Sequence, residues 1–235
     1  MVESINRLME QIVEKREQNN ALVLAQREIK LKMMASQINP HFLFNALESI
    51  RMNAHLKGEK EIANVVRLLG KLMRKNLEVG REKAALKEEI EMVRSYLEIQ
   101  KFRYEDRLQY ELVIDSVCND LLVPPLIVQP LVENAVVHGV EDKEDGVRVQ
   151  VMIQIDGGLV RVVVRDDGMG MTAERLIEVM QSISGAEESR KNRIGLRNVH
   201  QRLILTYGEE HGLHISSEYG VGTEVTFTIP HGNQS

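Results

Sequence analysis

The spacing of apolar residues changes near residue 106, and this change divides the chain into two kinds of structure. Before it, apolar residues recur every three or four positions, which is typical of helices. After it come short alternating runs; Val147 to Ile155 and Leu159 to Arg165 flank Asp156-Gly157-Gly158, which is a strong hairpin signal. The pattern therefore predicts an α+β protein in which helices come first and a mixed sheet with helices on one face follows.

The first 105 residues predict a series of helices. Residues 1–30 place apolar side chains on a seam of alternating three and four residue steps, which favours a coiled-coil signalling helix over a plain amphipathic helix. Residues 31–105 contain an amphipathic helical hairpin and a third helix from about Leu86 to Phe102. Two helices cannot bury their shared apolar face alone, so we expect a homodimer in which two hairpins form a four-helix bundle.

Pro40 and His41 lie inside a stretch that otherwise has the pattern of one continuous helix. A proline in a helix interior costs about 3 kcal/mol, because it removes a backbone donor and clashes with the preceding turn. One explanation is a kink beside a surface histidine, and the other is a reactive histidine that the kink exposes. Gln37 and Asn45 lie one turn on either side of His41 on the same face, where they can orient its ring through hydrogen bonds.

Composition argues against several classes of protein. A net charge of -5 gives no general reason to bind nucleic acid or an anionic membrane. The single Cys118 excludes an internal disulfide framework and fits a reducing compartment. No apolar run approaches the ~20 residues that span a bilayer, and no signal peptide is visible at Met1, so we expect the chain as given to be soluble.

Three polar or glycine-rich clusters lie at the edges of predicted elements after residue 106. Taken singly, each has a structural explanation: a hydrogen-bonded polar stripe on a helix, a turn after a strand, and a helix cap. A helix start can also hold phosphate. The clusters are Glu133-Asn134-Ala135-Val136-Val137-His138-Gly139, Asp166-Asp167-Gly168-Met169-Gly170 and Gly195-Leu196-Arg197-Asn198.

Together, and in this order, the clusters resemble the N, G1 and G2 boxes of the GHKL (Bergerat) ATP-binding domain, found in gyrase, Hsp90, histidine kinases and MutL. Residues 217–223 resemble its last glycine box. The resemblance implies that residues 106–235 form an α/β sandwich that binds ATP, with Asn134 coordinating Mg²⁺ at the triphosphate and Asp166 accepting the adenine amino group. The implied ATP-contacting residues are Asn134, His138, Asp166, Gly168, Gly170, Gly195, Leu196, Arg197, Gly220, Gly222 and Thr223.

The segment Pro40-His41-Phe42-Leu43-Phe44-Asn45, followed by this domain, resembles sensor histidine kinases of the LytS and YesM group. The resemblance implies ATP-dependent autophosphorylation of His41 and transfer of the phosphoryl group to an aspartate of a response regulator receiver domain. It also implies a cytoplasmic location and an upstream membrane sensor segment. A neutral imidazole near pH 7 can attack the γ-phosphate directly. Glu133 and Glu48 are candidates for a general base.

Other functions remain open from the residues alone. One alternative is a nucleotide-binding regulatory dimer without kinase activity, because Arg193 replaces the first glycine of the G2 box and Val137 stands where similar proteins often have a lysine. Another is a DNA-remodelling or chaperone ATPase of the same fold, which the His41 segment disfavours. Residues 182–192 are predicted to be the ATP lid, and Arg197, Arg193 or Lys191 can replace the missing cation. His211 and His214 are predicted to have structural or surface roles rather than to bind a metal.

Overall fold

The structure is a computed structural model that describes residues 40–77, 82–141, 143, 145–184 and 194–232. The predicted coiled coil of residues 1–30, Gln37, and residues 185–193, which contain most of the predicted lid, lie outside the described residues. The chain divides into two units, one ending at Ala63 and the other beginning at Asn64. Within the described ranges, no helix combines the length and the apolar character needed to cross a membrane.

The first unit contains helix α1, Pro40–Leu56, and the start of helix α2, Lys60–Leu77. Gly58 joins them in the left-handed conformation, with φ of 79°, which commonly ends a helix. The Glu59 N–H then donates to Ala54 O at 2.9 Å. Two helices joined by a tight turn are therefore present where the sequence predicts them. What precedes Pro40, and with it the predicted kink, lies outside the described residues.

Helix α3, Leu86–Tyr104, belongs to the second unit and matches the predicted third helix closely. A short strand pair, β1 (Ala84–Ala85) with β3 (Leu122–Val123), joins its start to the following segment. Its side chains Leu86, Val93 and Leu97 are at most 1% exposed and lie in the same apolar core as the sheet. The core therefore includes a helix that precedes residue 106, where the ATP-binding domain is predicted to begin.

The second unit is built on one mixed sheet of five strands. Its order is β2-β4-β5-β7-β6, in which only the β2–β4 pair is parallel within the described residues. Gly157 and Gly158, both with positive φ, form the predicted two-residue turn between β4 and β5. The strands are β2 (Leu108–Ile114), β4 (Val147–Asp156), β5 (Leu159–Asp166), β6 (His214–Glu218) and β7 (Gly222–Pro230).

Helices cover one face of this sheet, as the sequence predicts. They are α4 (Gln129–Glu141), α5 (Ala173–Ile183) and α6 (Ile194–Tyr207). Burial alternates along β4, where Val149, Val151 and Ile153 are at most 1% exposed. The opposite face is polar, and there Gln150 Nε2 donates to Glu111 Oε2 at 2.9 Å. This alternation is the reason that the strands form a half-covered sheet, and the predicted α+β class is confirmed.

Helix α4 begins at Gln129, four residues after Pro125. Residues 125–128 form bends. The backbone N–H groups of residues 126–128 donate to the carboxylate of Glu89 on α3. A contact across 37 to 39 residues of sequence therefore replaces the first helical turn, which local patterns do not reveal.

Candidate functional site

The predicted clusters meet at one cavity of about 250 Å³ in the second unit. It lies between α4, the end of β5, α5 and the starts of α6 and β7. Each of the four sequence segments contributes at least one predicted residue to its wall. The lining residues are Asn134, His138, Asp166, Met169, Gly170, Met171, Arg175, Val179, Leu196 and Thr223.

Helix α4 presents Asn134 and His138 to the cavity. The two residues are one turn apart and so share a face, as predicted. The opposite face packs into the core through Val132 and Val136, which are fully buried. The side chain of Asn134 is half-buried and that of His138 is exposed. The apolar face therefore fixes the rotation of α4, and this rotation points the polar pair towards the cavity.

Asp166, the last residue of β5, supplies a carboxylate to the cavity. Its Oδ1 accepts a hydrogen bond from Gly168 N at 3.0 Å. Burial raises the pKa of Asp166 to about 6, although the backbone N–H groups of Gly168 and Thr223 favour the charged form. The carboxylate is thus ionised near pH 7.5 but incompletely solvated. Such a group is suited to accept a hydrogen bond from a ligand amino group, which would offset part of its desolvation.

Glycines hold the loop after Asp166 in place through close backbone contacts. Gly170 has φ of 64°, and a Cβ there would lie 2.0 Å from Glu218 O. Gly222 has φ of 140°, and a Cβ there would lie 2.1 Å from Asp166 O. A Cβ at Gly168 would lie 2.9 Å from the Cα of Gly139 on α4. Gly168 and Gly222 do not line the cavity, so in this structure their contribution is to position the residues that do.

Ser217 Oγ connects the loop after β5 to the hairpin of β6 and β7. It accepts from Met171 N at 2.9 Å and donates to Gly222 O at 2.9 Å. It also lies 2.8 Å from Thr223 Oγ1, which is a cavity residue. Gly220, in the exposed turn with φ of 83°, adds a bond from its N–H to Met169 O at 2.6 Å. Ser217 is the first residue of the segment that resembles the last glycine box, but it was not among the implied ATP-contacting residues, because a serine in a strand has no distinctive signal of its own.

Three other predicted residues, Glu133, Arg197 and Gly195, are not among those that line the cavity. Glu133 Oε1 accepts a hydrogen bond from Gln129 Nε2 at 2.7 Å, one turn earlier on α4, and Glu133 does not line the cavity. Arg197 follows Leu196 on α6 but is also absent from the lining. Gly195 is exposed, and a Cβ there would lie 3.7 Å from the Pro130 Cβ, an ordinary contact.

The structure adds cavity residues that the sequence analysis missed, namely Met169, Met171, Arg175 and Val179. Arg175 and Val179 are four residues apart on α5, so helical spacing was the signal that could have found them. Arg175 brings a cation to the cavity wall, where its Nη1 also lies 2.9 Å from Glu178 Oε2 on the surface. A cation is therefore present even though Val137 stands where a lysine was expected.

His41 lies on α1 in the first unit and its side chain is exposed. Asn45, one turn later, places Nδ2 3.3 Å from His41 Nδ1, which is the contact expected from the sequence. His211 lies outside the cavity, and its Nδ1–H donates to Thr228 O at 2.8 Å. His211 is therefore bonded within the fold, in agreement with the structural role predicted for it.

The donor set of the cavity fits a magnesium nucleotide better than an ion held by protein alone. Among the described residues, no group of three or more His, Cys, Asp or Glu side chains is arranged to hold a metal. Asn134 offers one neutral oxygen, and Mg²⁺ usually takes one or two protein ligands together with water and substrate phosphates. Asn134 would therefore hold the ion jointly with the phosphates of a bound nucleotide.

Two family models match the chain. The first is described as "Histidine kinase" and matches residues 29–108, which include His41. The second is described as "Histidine kinase-, DNA gyrase B-, and HSP90-like ATPase" and matches residues 123–233, which include every cavity residue. The two matches fall on the two regions that the change of apolar spacing distinguishes.

Bacterial sensor proteins are similar to this chain in sequence. Sensor histidine kinase YesM of Bacillus subtilis is 37% identical over 234 residues, which are 100% of this chain and 38% of YesM. Sensor histidine kinase YpdA of Escherichia coli is 38% identical over 202 residues, 86% of this chain and 34% of YpdA. Sensor protein LytS of Bacillus subtilis is 34% identical over 205 residues, 87% of this chain and 34% of LytS. The chain thus spans between a third and two fifths of the length of these relatives.

Proposed function

The chain belongs to the histidine kinase family, and from this premise we propose that it uses ATP to phosphorylate its own His41 and then passes the phosphoryl group to an aspartate of a response regulator. One observation carries the proposal: Asn134, Asp166 and Thr223, from three separate sequence segments, line one cavity. An exposed histidine on a separate helical unit supplies a nucleophile.

ATP binds in the cavity with its adenine amino group donating to Asp166. The amide oxygen of Asn134 would hold Mg²⁺, and the ion would supply charge neutralisation for the transferred group. Arg175 offers a further positive charge at the wall. Gly168 and Gly222 keep the Asp166 loop rigid, so little ordering is needed when the nucleotide binds.

The chemical step forms a bond between a ring nitrogen of His41 and the γ-phosphorus while the bond to the β–γ bridging oxygen breaks and ADP leaves. The lone pair used for attack lies on the nitrogen that carries no proton. Attack through Nε2 therefore requires the proton on Nδ1, so the Asn45 amide, whose Nδ2 faces Nδ1 at 3.3 Å in the structure, must turn to present Oδ1 to that N–H. The proton leaves from Nδ1 to solvent, which reaches the exposed His41, as phosphohistidine forms. Asn45 acts here as a positioning residue for His41.

The phosphorylated His41 then transfers its phosphoryl group to a receiver-domain aspartate. The protein acts as a homodimer. Exposed apolar side chains on α1, among them Phe42 and Leu56, support pairing with a second copy in a four-helix bundle. A cytoplasmic location and attachment to an upstream membrane sensor are part of the same proposal, by analogy with the longer sensor relatives.

Incubation with γ-labelled ATP and Mg²⁺ tests the proposal. We expect acid-labile label on the parent chain and none on His41→Gln, because a phosphoramidate at that residue is the product. His55→Gln, an exposed histidine on the same helix, is the matched control and should label normally. Asn134→Ala should lose label together with Mg²⁺-dependent ATP affinity.

Absence of label on the parent, or label that survives His41→Gln, would contradict the proposal. A parent that binds ATP with Mg²⁺ but never labels would instead support the regulatory dimer without kinase activity.

A further inference from the structure

A buried carboxylate outside the cavity has no role in the chemistry described above. Glu89 lies on α3 and is 4% exposed. Burial raises its pKa, while bonds from three backbone N–H groups and the charge of Arg202 favour its ionised form. A carboxylate at such a position is costly unless every oxygen has partners.

The partners of Glu89 are consecutive backbone groups just before α4. Glu89 Oε1 accepts from Leu126 N at 2.8 Å, and Oε2 accepts from Ile127 N at 3.1 Å and Val128 N at 3.3 Å. Leu126 has a positive φ of 59°, and a residue in this conformation helps successive N–H groups converge on one anion. The side chain of Glu89 therefore fills an anion-binding turn at the point where α4 begins.

A second helix holds the same turn from its other end. Arg202 of α6 donates through Nη1 to Pro125 O. Residues 125–128 are thus fixed between a carboxylate on α3 and a guanidinium on α6. The turn has few other ways to satisfy its N–H groups, because it is neither helix nor strand.

The turn leads directly into the helix that carries Asn134. Gln129 to Asn134 is five residues, a span of about 7.5 Å along one helix. A helix moves as a rigid body over this distance, so a displaced start moves Asn134 relative to Asp166, which is held separately on β5. On the premise of the proposed ATP and Mg²⁺ site, we propose that Glu89 is a positioning residue: by fixing the start of α4, it keeps Asn134 in place to bind the magnesium ion.

The test measures nucleotide binding rather than activity, on the full chain. Equilibrium affinity for ATP is measured with Mg²⁺ and with EDTA, and the ratio of the two defines the Mg²⁺ enhancement. Glu89→Gln keeps the size of the side chain but removes the charge and replaces one acceptor with a donor that opposes an N–H group. We expect the enhancement to fall roughly tenfold, as for outer partners of metal ligands, with affinity in EDTA changed less than about twofold.

A merely structural role gives a different result, because a loosened fold lowers both affinities by the same factor and leaves the enhancement unchanged. Glu91→Gln is the matched control: it is the same change on the same helix, at an exposed carboxylate paired with Lys71 rather than with α4. It should leave the enhancement within twofold of the parent. In an Asn134→Ala background, Glu89→Gln should reduce the enhancement no further.

An unchanged enhancement in folded Glu89→Gln would overturn the inference. If that variant does not fold, Glu89→Asp is measured in the same way, because it retains the charge but withdraws the carboxylate by one methylene. Glu89→Asp must also lower the enhancement, and an unchanged value overturns the inference. A parent that shows no Mg²⁺ enhancement at all would contradict the proposed function, which is a separate outcome.

Discussion

Helix α1 and the five-stranded sheet differ in the exposure of their apolar side chains. On α1, Phe42 is 68% exposed and Leu56 is 78% exposed, and Ala54 is the one buried apolar residue among its described side chains. In the sheet, Phe227 and Ile153 are completely buried. The sheet unit completes its core within one chain, whereas α1 does not.

This difference separates two tasks. The unit proposed to bind nucleotide has a closed core and a cavity that backbone contacts hold in place, so its stability should be independent of protein concentration. The helix that carries His41 exposes the apolar surface that a second copy would cover, so its stability should depend on association. The proposed nucleophile, His41, is thus carried by the helix whose stability should depend on association, rather than by the closed sheet unit.

The largest effect should come from truncating a core residue of the sheet. Phe227→Ala should cost about 3–5 kcal/mol of unfolding free energy. Phe42→Ala should change the unfolding of the same unit by less than about 0.5 kcal/mol but weaken dimerisation. Urea denaturation followed by tyrosine fluorescence suits the comparison, because all 5 tyrosines lie after residue 95 and the chain has no tryptophan. Equal destabilisation by both changes would break the proposed independence of the two regions.

The next effect concerns the unfolding free energy that is lost because the Asp166 carboxylate is buried in the otherwise apolar sheet unit. The pKa of Asp166 is raised to about 6, so its penalty on stability is absent below its unfolded value and complete above about 6. Asp166→Asn should therefore raise unfolding free energy by about 3 kcal/mol at pH 8, with little gain near pH 4, while ATP affinity falls. Denaturation of the parent and of Asp166→Asn between pH 4 and pH 8, which gives the unfolding free energy of each, checks this difference. The exposed Asp167→Asn is the control, and a gain that does not depend on pH would contradict the assignment.

A smaller effect distinguishes close backbone contact from conformational preference alone. Gly222→Ala places a Cβ 2.1 Å from Asp166 O, whereas at Gly220 nothing lies within 4 Å of an added Cβ. Both have positive φ, so both changes carry strain of about 1–2 kcal/mol. Gly222→Ala should cost about 2 kcal/mol more, from the clash, and should also weaken ATP binding. Thermal denaturation and ATP titration measure this, and similar losses at the two positions would argue against a rigid loop.

The smallest effect should appear in mild acid. His200 Nδ1 accepts a hydrogen bond from Leu213 N at 3.0 Å, and burial lowers the pKa of His200 below its usual 6.5. The neutral form is favoured in the fold, so this stabilisation is present above pH 6.5 and is lost as the pH falls through the lowered value. The melting temperature of the parent should decline more than that of His200→Gln between pH 7 and pH 5. A parallel decline would show that another group is responsible.

Much of the sheet unit could be predicted because its signals are local. The alternation in β4 and β5, with Gly157 and Gly158 between them, specifies a hairpin whatever surrounds it. Asn134 and His138 were identifiable for the same reason, since helical spacing places them on one face. The meeting of Asp166 with Asn134 was inferred from resemblance rather than from the residues, because chain distance carries no information about which loops converge.

The rest depended on contacts between distant parts of the chain. The N–H groups of residues 126–128 donate to Glu89 rather than forming a helical turn, so α4 begins at Gln129. Neither Glu89 nor Gln129 has a sequence pattern that indicates this start. Glu133 was a candidate for a general base, and its hydrogen bond to Gln129 and its absence from the cavity lining depend on side-chain directions that sequence spacing does not determine. Arg175 was missed because a surface arginine on a helix is ordinary until the neighbouring cavity is known.

The place of α3 in the sheet core also has a consequence for how the protein is made. Leu86 and Ile229 belong to the same apolar core although 143 positions separate them in the chain. During translation the apolar face of α3 leaves the ribosome long before β7 exists to cover it. The sheet unit can therefore close only after the residues through Ile229 have emerged, and until then the nascent chain depends on chaperones or on transient packing to protect α3.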